Sequence, residues 1–501
     1  KYLVMPASTP TSTDSLRAII AAAKFRDETE LVEQLLERPP YDAETASRIE
    51  DHGAAIVARA RDDKDNRPLL DTFLTQYGLS NKEGIALMCL AESLLRIPDQ
   101  RTAELLIADK IKFADWASHA GKAGSLLVNT STWALMLGSK LVDVDREFSA
   151  NPAEWLHQLT TRLTEPVIET AMRAAMRILG REFVLGTTIE KALNNSVDGR
   201  PYSYDMLGEA ARDAATAQRY FEAYGHAIEH IGGAAKHEGP SRSSISIKLS
   251  ALHPRYEPAQ QGRIMTELLP VVKRLCRAAN ERGLALTIDA EEADRLALSL
   301  DIFEALARDP ELAEFSGLGL VVQAYGKRAL PVLDWLVALG RETDRRFPVR
   351  LVKGAYWDTE IKQSQVHGYP SFPVFTRKAS TDVSYLQCAE KILRYPEVLY
   401  GQFATHNAHT VAAVIEMAAG AEFEFQRLFG MGELLYAAAQ DEYSTFPPIR
   451  TYAPVGSHDD LLAYLVRRLL ENGANSSFVN RFLDEQLTPR ELVRDPLTVV
   501  R

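Results

Sequence analysis

Arg467 and Arg468 stand side by side, three residues after Tyr464 and three before Glu471, in Ser457-His-Asp-Asp-Leu-Leu-Ala-Tyr-Leu-Val-Arg-Arg-Leu-Leu-Glu-Asn-Gly473. Ser457 with Asp460 marks the start of a helix, and Gly473 marks its stop. At about 100° per residue, Leu461, Leu462, Leu465 and Leu469 form one apolar stripe. Asp460, Tyr464, Arg467, Arg468 and Glu471 fall together on the other side. Adjacent guanidiniums repel, so they call for an anionic guest or for acidic neighbours. A solvated face with an Arg467–Glu471 pair would satisfy the same residues, and only context decides between the two.

Other segments add to that context. Val349-Arg-Leu-Val-Lys-Gly-Ala-Tyr-Trp-Asp358 sets Arg350 and Lys353 in an apolar run. Such charges either face a pocket or snorkel at an edge. Gly354 permits close approach of a planar ligand, and Tyr356 and Trp357 offer stacking surfaces. Phe403-Ala-Thr-His-Asn-Ala-His409 supplies His406 and His409, but no cysteine or carboxylate follows at ligand spacing, so zinc is not expected. Thr405, His406 and Asn407 better suit hydrogen bonds to the phosphates or ribose of a cofactor. Asp289, Glu291 and Glu292 could hold a divalent metal or act as a glycosidase pair. Lys248 and the nearby arginines would instead neutralise them, and no metal is expected. No Gly-x-Ser-x-Gly is present and no cysteine lies among histidines, which argues against a serine or cysteine nucleophile.

The elements that must position these residues change character along the chain. Residues 12–185 read as successive helices, with Leu16, Ile19, Ile20 and Ala23 on one and Ile85, Met88, Cys89, Ala91, Leu94 and Leu95 on another. This region carries no catalytic cluster and reads as a scaffold. After Gly199, short β-rich runs alternate with helices. The expected strands are Ile245–Ser250, Ala285–Glu291, Leu318–Tyr325, Val349–Tyr356, Gln402–Asn407, Glu422–Phe429, Arg450–Val455 and Ser477–Asn480. Ile264–Arg282, Asp294–Ala307, Ala329–Thr343 and Asp382–Arg394 are expected helices between them. This α/β pattern predicts a single (βα)8 TIM barrel preceded by an all-helical N-terminal region. A doubly wound sheet is the competing layout, but Lys248-Leu-Ser-Ala-Leu-His253 lacks the glycines of a dinucleotide fingerprint. The expected divisions are a helical arm over 1–120, a helical linker over 121–200, the barrel over 201–485 and a tail over 486–501. Polar residues collect at the expected strand ends: Lys248, Asp289, Gln323, Lys353, Thr405 to Asn407, and Gln426. Core packing does not explain charges there, whereas a barrel active site does.

Composition bounds the partners. The chain has 501 residues, 46% hydrophobic content and a net charge of −11, which argues against nucleic acid as the main partner. Cys89, Cys276 and Cys388 have no paired spacing and suit a reducing compartment. No run of 18 or more apolar residues occurs. A start at Lys1 without methionine reads as a piece of something longer.

Four ordered motifs together resemble the proline dehydrogenase family. They are Ser246-Ile-Lys-Leu-Ser-Ala-Leu-His-Pro-Arg-Tyr256, Arg350-Leu-Val-Lys-Gly-Ala-Tyr-Trp-Asp358, Phe403-Ala-Thr-His-Asn407 and Tyr464-Leu-Val-Arg-Arg-Leu-Leu-Glu-Asn-Gly-Ala-Asn475. The likeness is strongest to the proline dehydrogenase portion of the bacterial bifunctional proline utilisation A flavoproteins. It covers about Tyr202 to Arg481, and the preceding helices resemble the arm and linker of those proteins.

The resemblance implies a distorted (βα)8 TIM barrel, preceded by an all-helical N-terminal arm and linker, that holds non-covalent FAD and oxidises L-proline to Δ1-pyrroline-5-carboxylate by hydride transfer from C5 to flavin N5. This is the first step of proline catabolism to glutamate. It implies that Arg467, Arg468 and Lys248 grip the proline carboxylate, that Tyr356, Leu428, Tyr452 and Tyr464 wall the ring, and that Asp289 sits at the pocket rim. Glu209 would pair with Arg467 to close a lid. Arg350 would donate near N5, with Val352, Gly354 and Trp357 lining the flavin. Gln323, Thr376, Lys378, Thr405, His406, Asn407, Gln426 and Glu471 would hold the rest of the cofactor.

Electrons would pass to a membrane quinone, from a cytoplasmic enzyme with peripheral membrane contact and an aldehyde dehydrogenase partner domain outside this chain. No nucleic acid is expected on these residues, and no DNA-binding domain is legible in them. A flavin barrel of the methylenetetrahydrofolate reductase kind offers no reason for Arg467-Arg468 beside Tyr464. A non-catalytic flavin-binding regulator is the rival from another class.

Overall fold

A computed structural model describes residues 12–63, 183–197, 199–234, 242–456, 478–483 and 486–501. The chain divides into two compact units. One comprises the first 64 residues, 185–456 and 485–501; of the other, only 183–184 and 478–483 are described.

Eight parallel strands close a barrel in sequence order: β1 (Tyr202–Met206), β2 (Ser244–Ile247), β3 (Ala285–Ile288), β4 (Leu318–Gln323), β5 (Phe347–Val352), β6 (Leu399–Ala404), β7 (Phe423–Leu428) and β8 (Ile449–Val455). β1 pairs with β8 from Tyr202–Thr451 to Met206–Val455, which closes the ring. Parallel neighbours need a crossover of a dozen or more residues. Helices supply it, among them Leu269–Glu281, Leu296–Ala307, Ala329–Thr343, Lys378–Arg394 and Ala408–Met417. The barrel expected from the alternating pattern is therefore present.

Seven of the eight expected strands coincide with observed ones, and one does not. Phe478–Leu483 is helical, so the expected strand over Ser477–Asn480 is wrong. Its Ser-Phe-Val-Asn was too short for period alone to separate strand from helix. The eighth strand is β1, at the other end of the barrel sequence. Its Tyr-Ser-Tyr-Asp-Met mixes aromatic and polar residues, because Ser203 and Asp205 face partners inside the barrel.

Three helices near the N-terminus pack on the barrel's helical shell: α1 (Thr13–Ala22), α2 (Glu28–Glu37) and α3 (Ala43–Asp62). Each starts at a side-chain cap in which Ser12, Asp27 or Asp42 accepts the N–H three residues on. Leu31, Val32, Leu35, Tyr41 and Ile49 form one cluster with Phe375, Val383, Leu386, Ala412, Ala413 and Leu497. Full burial of an Ile such as Ile49 contributes about 1.5–3 kcal/mol. Tyr41 donates to Asp495 at 3.0 Å, so the C-terminal residues are tied to the same cluster. No helix among the described residues is long and apolar enough to cross a membrane.

Candidate active site

The barrel interior is lined with polar residues where many barrels carry Val, Ile and Leu. Near the N-terminal ends of β7 and β8, Arg450 donates to both carboxylate oxygens of Glu424, at 2.6 and 2.9 Å. Gln402 and Gln426 donate to the same carboxylate at 2.8 and 2.9 Å. This pair is fully buried, and such pairs need every remaining polar group satisfied. It forms a floor.

Arg350 of β5 lies on that floor and reaches across the barrel. Its Nε donates to Gln426 at 2.7 Å and its Nη1 to Asp289 at 2.8 Å. Its Nη2 donates to Ser203 and Ser246 at 2.8 and 3.0 Å. Those bonds account for four of the five N–H groups of a guanidinium. The guanidinium also sits 5.0 Å from the Tyr452 ring centroid. Its orientation is thus fixed, with one N–H left to offer a ligand.

At the C-terminal mouth, Lys248 follows β2 and places its Nζ 2.7 Å from Asp205 and 3.4 Å from Asp289. Tyr452 donates to Asp289 at 3.1 Å. Burial opposes the charge on Lys248, but Asp205, Tyr452 and Asp289 outweigh it and hold its pKa well above the ordinary value. Burial, then Asp205 and Asp289, push the Tyr452 phenol up, so it remains a donor. Burial also pushes the Asp205 carboxyl up, against the pull of Lys248. Two cations, Lys248 and Arg350, face two acids, Asp205 and Asp289, in a nearly balanced cluster. Asp289, expected at the rim, is buried and is the point where Lys248, Arg350 and Tyr452 converge.

Leu428 ends β7, and Tyr356 precedes the helix Trp357–Val366; both are half-buried. Glu209 is half-buried in the segment after β1. Tyr464, Arg467, Arg468 and Glu471, with the whole expected helix over 457–473, lie outside the described residues.

The residues expected to hold a cofactor divide into two groups. One group presents open surface at the strand ends. Gly354 has φ +133°, and a Cβ there would stand 2.5 Å from the Tyr325 ring, so only glycine fits. Val352 ends β5 beside it, and Trp357 is 42% exposed with its indole N–H anchored on the Phe375 carbonyl at 2.9 Å. Gln323 is oriented by the Glu291 carbonyl at 2.8 Å. A bare backbone, an exposed aromatic plane and one remaining Arg350 donor fit a planar, electron-accepting ring.

The other group is engaged within the protein. Gln426 bridges Arg350 and Glu424, and Asn407 caps the helix Ala408–Met417 by accepting from Thr410 at 3.1 Å. His406 accepts the Leu428 N–H at 3.1 Å and so braces the end of β7. Thr405 is buried and accepts the Asn407 N–H at 3.2 Å. Thr376 gives its N–H and hydroxyl to Glu28 of α2, at 2.9–3.1 Å. Those donors are therefore already arranged for an anionic oxygen. Lys378 and Lys353 both pair with Asp382. Burial would raise that carboxyl, but the two lysines hold it down at about 2.

Asp205, Ser203, Ser246, Glu424, Arg450 and Glu28 belong to this constellation and were not among the expected site residues. The alternation Ser203/Asp205 and Glu424/Gln426 within short apolar runs is the signal that could have found Ser203, Asp205 and Glu424. Nothing in the sequence pairs Glu28 with Thr376, 348 residues away.

The family model for proline dehydrogenase matches residues 188–481. A second model, for the DNA-binding domain of proline dehydrogenase, matches 69–183. That match runs against the expectation that no such domain is present. The matched residues carry slightly more acidic than basic side chains and lie almost wholly outside the described ones.

The chain is 48% identical to the bifunctional protein PutA of Escherichia coli over 97% of its own length and 38% of the relative's. It is 29% identical to proline dehydrogenase 1 of Bacillus subtilis, over 60% of this chain and 90% of that one. A crystal structure of a mutant of Bradyrhizobium japonicum proline utilization A superposes with a TM-score of 0.73 at 48% identity, covering 95% of this chain and 48% of that one. The chain spans about two fifths of the length of the bifunctional relatives it matches.

Proposed function

Because the chain belongs to the proline dehydrogenase family, we propose that its barrel oxidises L-proline to Δ1-pyrroline-5-carboxylate with FAD as electron acceptor. The observation that carries this reading is the cluster of Lys248, Asp205, Asp289, Arg350 and Tyr452 at the barrel mouth, with half-buried Gly354 and exposed Trp357 following Arg350 along the chain. In the reaction the C5–H bond breaks and its electron pair leaves as hydride. The lone pair of the neutral amine then forms the C=N bond, and the iminium loses its N–H proton. Bound FAD would supply the hydride acceptor at N5.

The chain's own residues bind and orient. Lys248 keeps one N–H beyond those given to Asp205 and Asp289, and that donor suits one oxygen of the proline carboxylate. Arg467 and Arg468, outside the described residues, are the other proposed carboxylate partners. Leu428, Tyr356 and Tyr452 would bound the ring, with Tyr464 as a further wall. Asp289 does not act as a base here: it holds Lys248, Arg350 and Tyr452 in register. Arg350 and Gln323, with Val352, Gly354 and Trp357, would hold the flavin. Thr376, Lys378, Thr405, His406 and Asn407 would reach the remainder, several of them by placing their neighbours. No strong base is required near C5, so the contribution is alignment and electrostatics.

Transfer of electrons to a membrane quinone, and consumption of the product by an aldehyde dehydrogenase domain beyond this chain, complete the proposal. The test is anaerobic absorbance of the purified chain before and after L-proline. A flavin spectrum that bleaches with proline, and not with hydroxy acids or NADH, supports the reading. A flavin that stays oxidised would leave a regulator or another flavin barrel, and a colourless protein that cannot be loaded with FAD would refute the assignment.

A further inference from the structure

Away from the barrel mouth, the two helices that precede and follow β1 bring three metal-ligating side chains together. These helices are α4 (Ile189–Asn195) and α5 (Ala214–Ala234). His226 and His230 are four residues apart on α5, which puts them on one face, and their ring centroids are 4.1 Å apart. Glu190, in the first turn of α4, reaches both: its Oε1 lies 2.6 Å from His226 Nε2 and 3.6 Å from His230 Nε2. The three ligand atoms lie within 4.8 Å of one another.

The hydrogen bonding decides what the group can do. His230 Nδ1 lies 2.9 Å from the carbonyl oxygen of His226. A carbonyl only accepts, so Nδ1 carries the proton, and in the neutral ring Nε2 presents a lone pair. That lone pair faces a carboxylate oxygen at 3.6 Å, an arrangement that a proton or a metal cation between the two atoms relieves. An imidazole whose Nδ1–H is fixed by a backbone carbonyl and whose Nε2 faces another ligand is the usual posture of a metal-binding histidine. A tetrahedral metal with ligands at about 2.0–2.1 Å needs ligand-to-ligand spacings near the one His230 already shows. His226 has only to turn away from its direct bond to Glu190, and half-exposed side chains are free to do so.

We propose that Glu190, His226 and His230 form a binding site for a late first-row divalent cation, Zn2+ in the first instance, with water completing the coordination. Two imidazoles and one carboxylate favour such ions over Mg2+ or Ca2+, which prefer oxygen donors. The ion joins the start of α4 to the middle of α5. It thereby braces the helices on either side of β1, the strand that carries Asp205.

The experiment uses the tag-free, flavin-loaded chain, stripped with EDTA, exchanged into a non-chelating buffer and titrated with ZnCl2 in a calorimeter. One equivalent of Zn2+ is expected to bind, and Mg2+ under the same conditions is not. His230→Ala and Glu190→Gln should each weaken Zn2+ binding by at least about tenfold, while the flavin spectrum of each variant reports that the barrel is still folded. No Zn2+ binding to the parent chain would overturn the proposal. So would an equivalent of Zn2+ bound with unchanged affinity by both variants, since the ion would then sit elsewhere.

Discussion

Asp289→Asn removes the carboxylate on which Lys248, Arg350 and Tyr452 converge, at 3.4, 2.8 and 3.1 Å. An amide has a single acceptor oxygen. Turned toward Arg350, it aims its NH2 at the Lys248 ammonium, donor facing donor, and Tyr452 loses its charged acceptor. Hydrogen bonds to charged groups contribute about 1.5–3 kcal/mol each, and breaking one partner of a buried charge pair costs about 3–5 kcal/mol. Lys248 keeps Asp205 at 2.7 Å, and Arg350 keeps Gln426 and the two serines, so the lower end, about 3 kcal/mol, is expected.

The cluster then holds two cations against one acid, so affinity for a cyclic carboxylate that cannot be oxidised should hold or tighten. Turnover should fall by about two orders of magnitude, the scale of loss when an aligned group is released. Equilibrium urea unfolding of the flavin-loaded protein measures the first effect, analogue titration the second and anaerobic single-turnover bleaching the third. A variant within about 0.5 kcal/mol of the parent and equally fast would refute Asp289 as the organising acid. So would one whose analogue affinity collapses while its rate holds.

Glu424→Gln should cost about 3–5 kcal/mol of unfolding free energy by stranding the Arg450 charge, and pairing it with Arg450→Leu should recover part of that loss; denaturant midpoints decide. Gly354→Ala forces a Cβ to within 2.5 Å of the Tyr325 ring at φ +133°, so the purified variant should retain less than half the parent's flavin per chain by absorbance ratio. Asp382 is held down to about 2 from an ordinary 3.8, so its stabilisation is present above the unfolded value and disappears as pH falls toward 2. Asp382→Asn should therefore narrow the stability gap between pH 6 and pH 3 by about 1 kcal/mol, read from unfolding curves at both values.

Much of this molecule was legible in order along the chain. Alternating β-rich and helical runs marked seven strands, and charged or amide residues at their ends marked the mouth of a barrel. The exceptions have a physical cause. β1 hid although Tyr202, Tyr204 and Met206 alternate with Ser203 and Asp205, because a five-residue run is too short to stand out by period. The start of Phe478–Leu483 misled because the four residues Ser477–Asn480 fit either period. His226-Ala-Ile-Glu-His230 carries the spacing of a helical ligand pair, yet its third partner, Glu190, lies 36 residues before His226.

The sequence by itself determined which residue types stand at the barrel mouth, that α/β alternation builds a barrel, and which family the motifs resemble. Only the tertiary structure decided who holds whom. Period two says which side of a strand a residue faces, but strand tilt and barrel closure decide which partner meets it across the axis. That is how Arg350 meets Ser203 from 147 residues away, and how Asp289 moves from an expected rim to the centre of the charge cluster. The same closure lets α2 bring Glu28 onto Thr376, a contact that no local pattern encodes.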